Sequence, residues 1–209
     1  MTDKLCIGAL ALSASLFVSA AQATMPGEVV DDFKLTDHTG KTRSLYEAGS
    51  TQPIVVMIQG NGCPIVRHSI PALKQVSERY APRGVRFLLL NSNLQDTQQS
   101  IAKEVEEFVY PFPVLVDQKQ AVGEALHVQR TSEVFVIEPN TRKLMYRGPM
   151  DDRLSYERQR PATKHYLTDA LEAVLAGQPV KVPYADGVGC IVNFPDRKAS
   201  HADHSHMGH

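Results

Sequence analysis

Runs of apolar residues alternate with segments in which apolar residues recur at helical spacing. The run 54–58 is continuously apolar and is bounded by Pro53 and Gly60, which predicts a strand buried on both faces. From Pro64 to Tyr80 the apolar residues fall roughly one helical turn apart, which predicts a helix directly after that strand. A second buried strand is predicted at 84–91.

The rest of the chain continues this alternation. Before the first run, 32–37 predicts a strand and 44–46 the start of a turn or short helix. The later predicted elements are a helix near 96–109 with Asp96 as its N-cap, a strand at 113–117, a short helix at 118–126, a hairpin of 133–137 with 143–146, and a closing helix at 161–176. This order predicts an α/β fold with a mixed central sheet and helices on both faces.

The first 23 residues have the pattern of a secretory signal peptide. Lys4 precedes a largely apolar run, and Ala21-Gln22-Ala23 provides a small-x-small cleavage site before Thr24. The alternative is an uncleaved membrane anchor, but the apolar run is short for a span of roughly 20 residues. We therefore expect a periplasmic or secreted protein with no membrane span after cleavage.

Two further segments follow the leader. Residues 24–180 are predicted to form one domain, and residues 181–209 a C-terminal extension with Cys190 and a histidine-rich tail. Hydrophobic residues make up 43% of the 209, which is enough for a core. The net charge of −1 gives no reason to expect nucleic acid as a partner.

Cleavage would remove Cys6 and leave Cys63 and Cys190 in a compartment where disulfides persist. Two cysteines this far apart in sequence are compatible with a structural bridge, a redox couple or two unrelated thiols. The sequence leaves these three alternatives open.

Cys63 occupies the predicted junction between a buried strand and a helix. Unpaired N–H groups at a helix N-terminus favour an anion, and Pro64 suits the first helical position. Arg67 lies one turn further on and is a candidate for added positive potential. A reactive thiolate is therefore predicted in a polar loop open to solvent; the alternative is an inert buried cysteine.

Several motifs, taken in order, resemble the thioredoxin-like redoxin superfamily, which includes AhpC/TSA-type peroxiredoxins and TlpA-type periplasmic thioredoxins. These motifs are Asp32-Phe33-x-Leu35-x-Asp37-x-x-Gly40, Cys63-Pro64 with Arg67 and Pro71, Tyr110-x-Phe112-Pro113-Val114-Leu115-x-Asp117, and Thr131-Ser132-Glu133-Val134-Phe135. The resemblance implies a thioredoxin-like fold and a thiol-based oxidoreductase, acting by thiol–disulfide exchange or peroxide reduction. It implies no required cofactor, protein thiols or peroxide as substrates, and a redox partner protein as electron donor.

Three positions depart from the family's patterns. Val66 stands where a Cys-x-x-Cys motif has its second cysteine, and Ser132 stands where a cis-proline is usual. Gly60 replaces the threonine that precedes a peroxiredoxin nucleophile by three residues.

Two more candidates follow from the resemblance and the predicted fold. Cys190, in a glycine-flanked loop, is a candidate resolving thiol for an oxidised Cys63, as in two-cysteine peroxidatic cycles. Arg130 precedes the Thr131-Ser132 loop and would approach the active thiol in the predicted fold; a structural role is equally compatible.

The C-terminal tail suggests a second class of function. Its candidate ligands for copper or zinc are His201, His204, His206 and His209, although a solvated terminus is the alternative. Sco-type copper chaperones resemble this arrangement, but they carry Cys-x-x-x-Cys where this chain has one cysteine. Copper binding through Cys63 and histidines is therefore the alternative function.

Overall fold

A computed structural model describes residues 24–47, 51–156 and 158–195. The predicted signal peptide and histidine ligands lie outside these ranges. The described strands are β1 (Lys34–Thr36), β2 (Thr42–Ser44), β3 (Ile54–Gln59), β4 (Arg86–Asn91), β5 (Val114–Val116), β6 (Val134–Glu138) and β7 (Lys143–Gly148). The α-helices are α1 (Pro64–Tyr80), α2 (Gln98–Glu107), α3 (Ala121–Ala125) and α4 (Tyr166–Leu175), with a 3₁₀ turn at Ala81–Arg83.

Five of the strands form a mixed central sheet in the order β5-β4-β3-β6-β7. The strands β3, β4 and β5 run parallel, whereas β6 pairs antiparallel with both β3 and β7. The predicted α/β fold with a mixed sheet is confirmed. Because β3 is the central strand, the residues that follow its C-terminal end lie near the middle of the sheet.

The alternating side chains of β3 supply two separate core layers. Val55 and Met57 pack with residues of α1 and α4 on one face. Ile54, Val56 and Ile58 pack on the other face with residues of α3 and with two residues near the C-terminus, Val192 and Phe194. Helices therefore cover both faces, as the sequence predicts.

The N-cap of α2 differs from the prediction. Thr97 is the cap, and its hydroxyl accepts a hydrogen bond from the Ser100 N–H at 3.1 Å. Asp96 is buried, and its carboxylate instead accepts from the Asn61 N–H at 3.0 Å. The prediction of Asp96 as the N-cap was wrong, because its side chain binds the backbone of Asn61, which is distant in sequence.

Two element boundaries also differ. The closing helix begins at Tyr166 rather than at residue 161, because the Asp152 carboxylate binds the N–H groups of Thr163 and Lys164 in a loop. Residues 42–44 form a strand that pairs antiparallel with 34–36, so the strand takes in Ser44, where a turn or short helix was predicted to start.

A strap formed by residues 183–194 returns across the edge of the domain. It first pairs with β7, where the Arg147 N–H donates to the Pro183 carbonyl at 2.9 Å. It then pairs antiparallel with 129–131, and ends with Val192 and Phe194 buried in the core. The strap is therefore fixed on both sides of Cys190. Across the described ranges, no helix combines the length and apolar character needed to span a membrane.

Candidate active site

Cys63 is the N-cap residue of α1, and a loop of residues 60–62 separates it from the end of the central strand β3. Its side chain makes no capping hydrogen bond, and Pro64 occupies the first helical position. The polar loop before it is open only in part: Gly62 is exposed and Asn61 is half-buried, but only 3% of Cys63 is exposed. Both cysteines in the described ranges are free thiols.

The strap brings the second thiol to the first. The Sγ atom of Cys190 lies 2.6 Å from the Sγ atom of Cys63, although 127 residues separate them in sequence. A disulfide bond requires about 2.05 Å, so a small movement suffices to join the sulfur atoms. Cys190 itself is exposed.

Thr131 connects the two cysteines through its hydroxyl group. Its Oγ1 accepts the Cys190 N–H at 2.9 Å and lies 3.1 Å from the Cys63 sulfur. A hydroxyl has one hydrogen to donate, and the bond from Cys190 leaves it free for Cys63. The Thr131 N–H also donates to the Cys190 carbonyl at 2.9 Å, which fixes the register of the strap.

These contacts move the two thiol pKa values in opposite directions. Burial raises the pKa of Cys63, but hydrogen bonds from Cys190, Thr131 and the Val66 N–H outweigh it and leave this pKa below its ordinary value. Burial, the hydrogen bond donated to Cys63 and the charge on Cys63 raise the pKa of Cys190 to about 11. Of the two thiols, Cys63 is therefore the one that ionises at the lower pH.

Arg67 contacts a carboxylate and an aromatic ring. Its guanidinium makes a two-pronged pair with Glu104, with Nε–Oε1 at 2.9 Å and Nη2–Oε2 at 2.8 Å. It also stacks 3.7 Å from the ring centroid of Phe108. Arg67 was predicted to add positive potential at Cys63, but its charge is paired with the Glu104 carboxylate.

Glu104 and Asp96 hold the loop that precedes Cys63. Burial raises the pKa of Glu104, but hydrogen bonds from Arg67 and from the Gly62 N–H at 3.3 Å outweigh it, so this carboxylate stays ionised. The Asp96 carboxylate holds the Asn61 N–H in the same way. The loop is consequently held by Glu104 of α2 and by Asp96 just before α2, and the position of Cys63 depends on these two acids.

Arg130 does not touch Cys63 either. Its Nη1 donates to the Tyr156 hydroxyl at 3.0 Å, which in turn donates to the Gly189 carbonyl at 3.0 Å. The Gly189 N–H lies 3.2 Å from the same hydroxyl. Arg130 thus braces the strap one residue before Cys190.

The three departures from the family's patterns have structural counterparts. Val66 is fully buried in the core. Ser132 adopts a left-handed backbone with φ of 65°, and its hydroxyl lies 2.9 Å from that of Ser69. Gly60 lies against Thr131, where an added Cβ would approach the Thr131 methyl group to 2.8 Å.

Sequence reasoning identified both cysteines but missed Thr131 and Tyr156. The predicted fold brings the Thr131-Ser132 loop near Cys63. However, the Thr131 hydroxyl connects the two cysteines only because the strap places Cys190 beside it. Among the described residues, no group of three or more histidine, cysteine or acidic side chains is placed to hold a metal ion. The predicted histidine ligands lie beyond those residues.

The fold and the sulfur pair together define a class of protein: a thioredoxin-like fold with a helix-terminal thiol facing a second thiol is that of a thiol-dependent oxidoreductase. Residues 26–146 match the AhpC/TSA family, and the chain belongs to that family. This confirms the resemblance to the redoxin superfamily.

The chain is also similar to individual relatives and solved structures. The chain is 25% identical over 124 residues to the thiol-disulfide oxidoreductase ResA of Geobacillus kaustophilus, covering 59% of this chain and 70% of the relative. An uncharacterized conserved protein of the same organism has a TM-score of 0.74 at 30% identity, covering 84% of this chain and 95% of that structure. A protein assigned as the thiol:disulfide interchange protein DsbE of Chlorobium tepidum has a TM-score of 0.60 at 21% identity, covering 73% and 99%.

Replacing Thr131 with valine will shift the ionisation of Cys63 to higher pH. The hydroxyl stabilises the thiolate, and a hydrogen bond to a charged group contributes about 1.5–3 kcal/mol. We expect the rate with a disulfide substrate at neutral pH to fall about tenfold. The pH at which half of Cys63 is ionised is measured from the ultraviolet absorbance of the thiolate, with Thr131→Ser as the matched control. An unchanged midpoint in Thr131→Val would show that the hydroxyl does not stabilise the thiolate.

Proposed function

We propose that this protein is an exported thiol–disulfide oxidoreductase whose working couple is Cys63 and Cys190. The observation that carries the proposal is the 2.6 Å separation of the two sulfur atoms on a strap fixed at both sides. Cys63 supplies the thiolate nucleophile and Cys190 the second sulfur. The couple cycles between a dithiol and a disulfide, exchanging two electrons with thiols of partner proteins.

The opposite pKa shifts support this division of roles. A thiolate, not a thiol, attacks a sulfur atom, and the sulfur with the lower pKa also leaves faster. Cys63 meets both requirements, because its pKa is lowered while that of Cys190 is raised. No cofactor is needed for this chemistry, since both electrons come from sulfur.

The two arginines act on the couple indirectly in this proposal. Arg67 positions Cys63 through Glu104 and the Gly62 N–H. Arg130 positions Cys190 through Tyr156 and Gly189. Both are positioning residues, since their side-chain hydrogen bonds go to Glu104 and to Tyr156 and not to sulfur.

Exchange with a disulfide is favoured over peroxide reduction. The immediate polar neighbours of the Cys63 sulfur are the Thr131 hydroxyl and Cys190, whereas the Arg67 guanidinium is paired with Glu104. The charge of Arg67 is therefore already engaged by a carboxylate. The nearby second thiol favours rapid closure of a disulfide instead.

Export is supported by the leader pattern of residues 1–23, with its small-x-small site before Thr24. A cleaved leader would place the mature chain in the periplasm or outside the cell, where a stable disulfide couple can operate. N-terminal sequencing of the protein from a periplasmic extract would then begin at Thr24.

A comparison of two oxidants tests the proposed reaction. The reduced protein is mixed separately with a disulfide-bonded peptide and with hydrogen peroxide, and the loss of free thiols is followed. We expect the peptide to react at least tenfold faster per mole. Faster reaction with peroxide would favour a peroxidase. Tight Cu(I) binding that is lost in Cys63→Ser, without disulfide turnover, would favour the copper-binding alternative.

A further inference from the structure

A buried side-chain amide lies between the strap and the end of the neighbouring strand β4. Gln120 is 4% exposed, and its Nε2 group donates to the Ser92 carbonyl at 2.7 Å and to the Asn193 carbonyl at 2.7 Å. The two hydrogens of the amide nitrogen are thus both used. The carbonyls lie 28 and 73 residues away in sequence, so Gln120 joins segments that only the fold brings together.

One of the two carbonyls belongs to the strap. Asn193 follows Cys190 by three residues, and between them the Val192 N–H donates to the Gln129 carbonyl at 3.0 Å. The amide of Gln120 therefore holds the strap just beyond the point where it leaves its pairing with 129–131.

The other carbonyl starts the segment that holds the loop of Cys63. Ser92 directly follows β4, and four residues later the Asp96 carboxylate accepts the Asn61 N–H at 3.0 Å. The same side-chain amide of Gln120 is thus connected to the supports of both cysteines.

Neither the turn nor the helix that follows explains a glutamine at position 120. Its backbone is left-handed, with φ of 56°, which is unfavourable for a residue with a Cβ and easy for glycine. It is the N-cap residue of α3, yet its side chain makes no capping hydrogen bond. The Asp117 carboxylate accepts the Gly123 N–H at 2.8 Å instead. The two carbonyls do account for the glutamine side chain.

We infer that Gln120 is a positioning residue for the Cys63–Cys190 couple, because its amide ties the strap that carries Cys190 to the segment that holds the loop of Cys63. The inference rests on the proposed function, since positioning matters only if the couple opens and closes. Gln120 acts through the Ser92 and Asn193 carbonyls and not on sulfur.

The expected effect is on the effective concentration of one thiol at the other. In the reduced protein the strap already holds the sulfur atoms 2.6 Å apart, before any bond joins them. Without the amide, the strap is freer to leave this position in the reduced state, whereas the disulfide itself holds it there in the oxidised state. Closure of the disulfide therefore becomes less favourable.

The redox equilibrium with glutathione tests the inference. The mature chain is equilibrated with mixtures of reduced and oxidised glutathione, and each Cys63–Cys190 disulfide that forms releases two molecules of reduced glutathione. The remaining thiols are alkylated and counted by mass. Gln120→Met keeps the length of the side chain and removes both hydrogen bonds. We expect its equilibrium constant for closure to fall about tenfold, a shift of about 30 mV to more positive potential.

Two further variants separate positioning from stability. Tyr46→Phe is the matched control, since it removes a hydrogen bond to the Val30 carbonyl at 2.7 Å on the same face of the sheet, away from the couple. It should lower the unfolding temperature and leave the equilibrium constant unchanged. Gln120→Gly lacks the amide but adopts the left-handed backbone without strain, so it tests the inference even if methionine disturbs the fold. We expect it to show the same shift as Gln120→Met.

A native equilibrium constant in Gln120→Gly would overturn the inference while leaving the couple intact. An equal shift in Tyr46→Phe would also overturn it, because the shift would then follow from general destabilisation. If the native protein forms no Cys63–Cys190 disulfide at any ratio of the two glutathione forms, the proposed function itself fails, and the inference fails with it.

Discussion

Replacing Cys63 with serine will abolish thiol–disulfide turnover. A serine hydroxyl is not ionised at neutral pH and cannot form the bond to Cys190, so the rate should fall to that of the uncatalysed exchange. Turnover is measured as reduction of a disulfide-bonded peptide in the presence of excess dithiothreitol.

The loss will not come from unfolding. Cys63 is the N-cap of α1 and makes no capping hydrogen bond, whereas serine is among the preferred N-cap residues because its oxygen accepts an N–H of the first turn. The variant should therefore unfold at the same temperature as the native protein or higher. Cys190→Ser is the matched control: it should also lose turnover but keep a thiol at Cys63 that forms a stable mixed disulfide. More than a few per cent of native turnover in Cys63→Ser would refute the role of this thiol.

Replacing Gly189 with alanine will separate the two cysteines. A Cβ at this position would lie 1.9 Å from the Thr131 carbonyl oxygen and 2.9 Å from its carbon. These are backbone atoms, so no rotamer change can relieve the overlap, and the strap must move. Because Cys190 follows directly, its hydrogen bonds to Thr131 and its contact with Cys63 will be lost.

Two opposite changes are expected in Gly189→Ala. Closure of the Cys63–Cys190 disulfide after diamide should slow at least tenfold, while alkylation of Cys63 should become faster because its cover has moved. General destabilisation would expose both thiols and lower the unfolding temperature as well. Gly187→Ala is the matched control in the same strap, since its Cβ would meet Pro149 at 3.2 Å and requires a shift of only a few tenths of an ångström. Closure of the disulfide at the native rate in Gly189→Ala would contradict the observed register between the strap and residues 129–131.

The local parts of this fold could be predicted from sequence. The apolar run 54–58 and the helical spacing from Pro64 to Tyr80 predicted β3 and α1, and the bounds of α1 match those observed. These elements are determined by short-range periodicity. The same patterns placed Cys63 at the junction between them.

The parts that depend on distant contacts could not be predicted in this way. Asp96 has the sequence of an N-cap, yet its carboxylate binds the loop before Cys63. Arg67 lies one helical turn after Cys63, which predicts that it stabilises the thiolate, yet its guanidinium pairs with Glu104 and stacks on Phe108. Nothing local to Thr131 indicates that the strap will donate an N–H to its hydroxyl.

The strap itself shows why the alternatives for the two cysteines stayed open. Cys190 lies among glycines without a clear periodic pattern. Its sequence therefore indicates a loop but does not predict which part of the domain the loop contacts. Its position is fixed by pairing with 129–131 and by burial of Val192 and Phe194, which are contacts across the whole domain. Only the assembled fold brings the second sulfur to Cys63.

Mass mapping of the oxidised protein tests the central claim most directly. The reduced mature chain is treated with a stoichiometric amount of diamide, digested without reduction, and compared with a sample treated afterwards with dithiothreitol. The account predicts the loss of two hydrogen atoms, located in a peptide pair that joins Cys63 to Cys190 and is restored by dithiothreitol. Two free, alkylatable thiols after the oxidant, or a disulfide between two molecules instead, would contradict it.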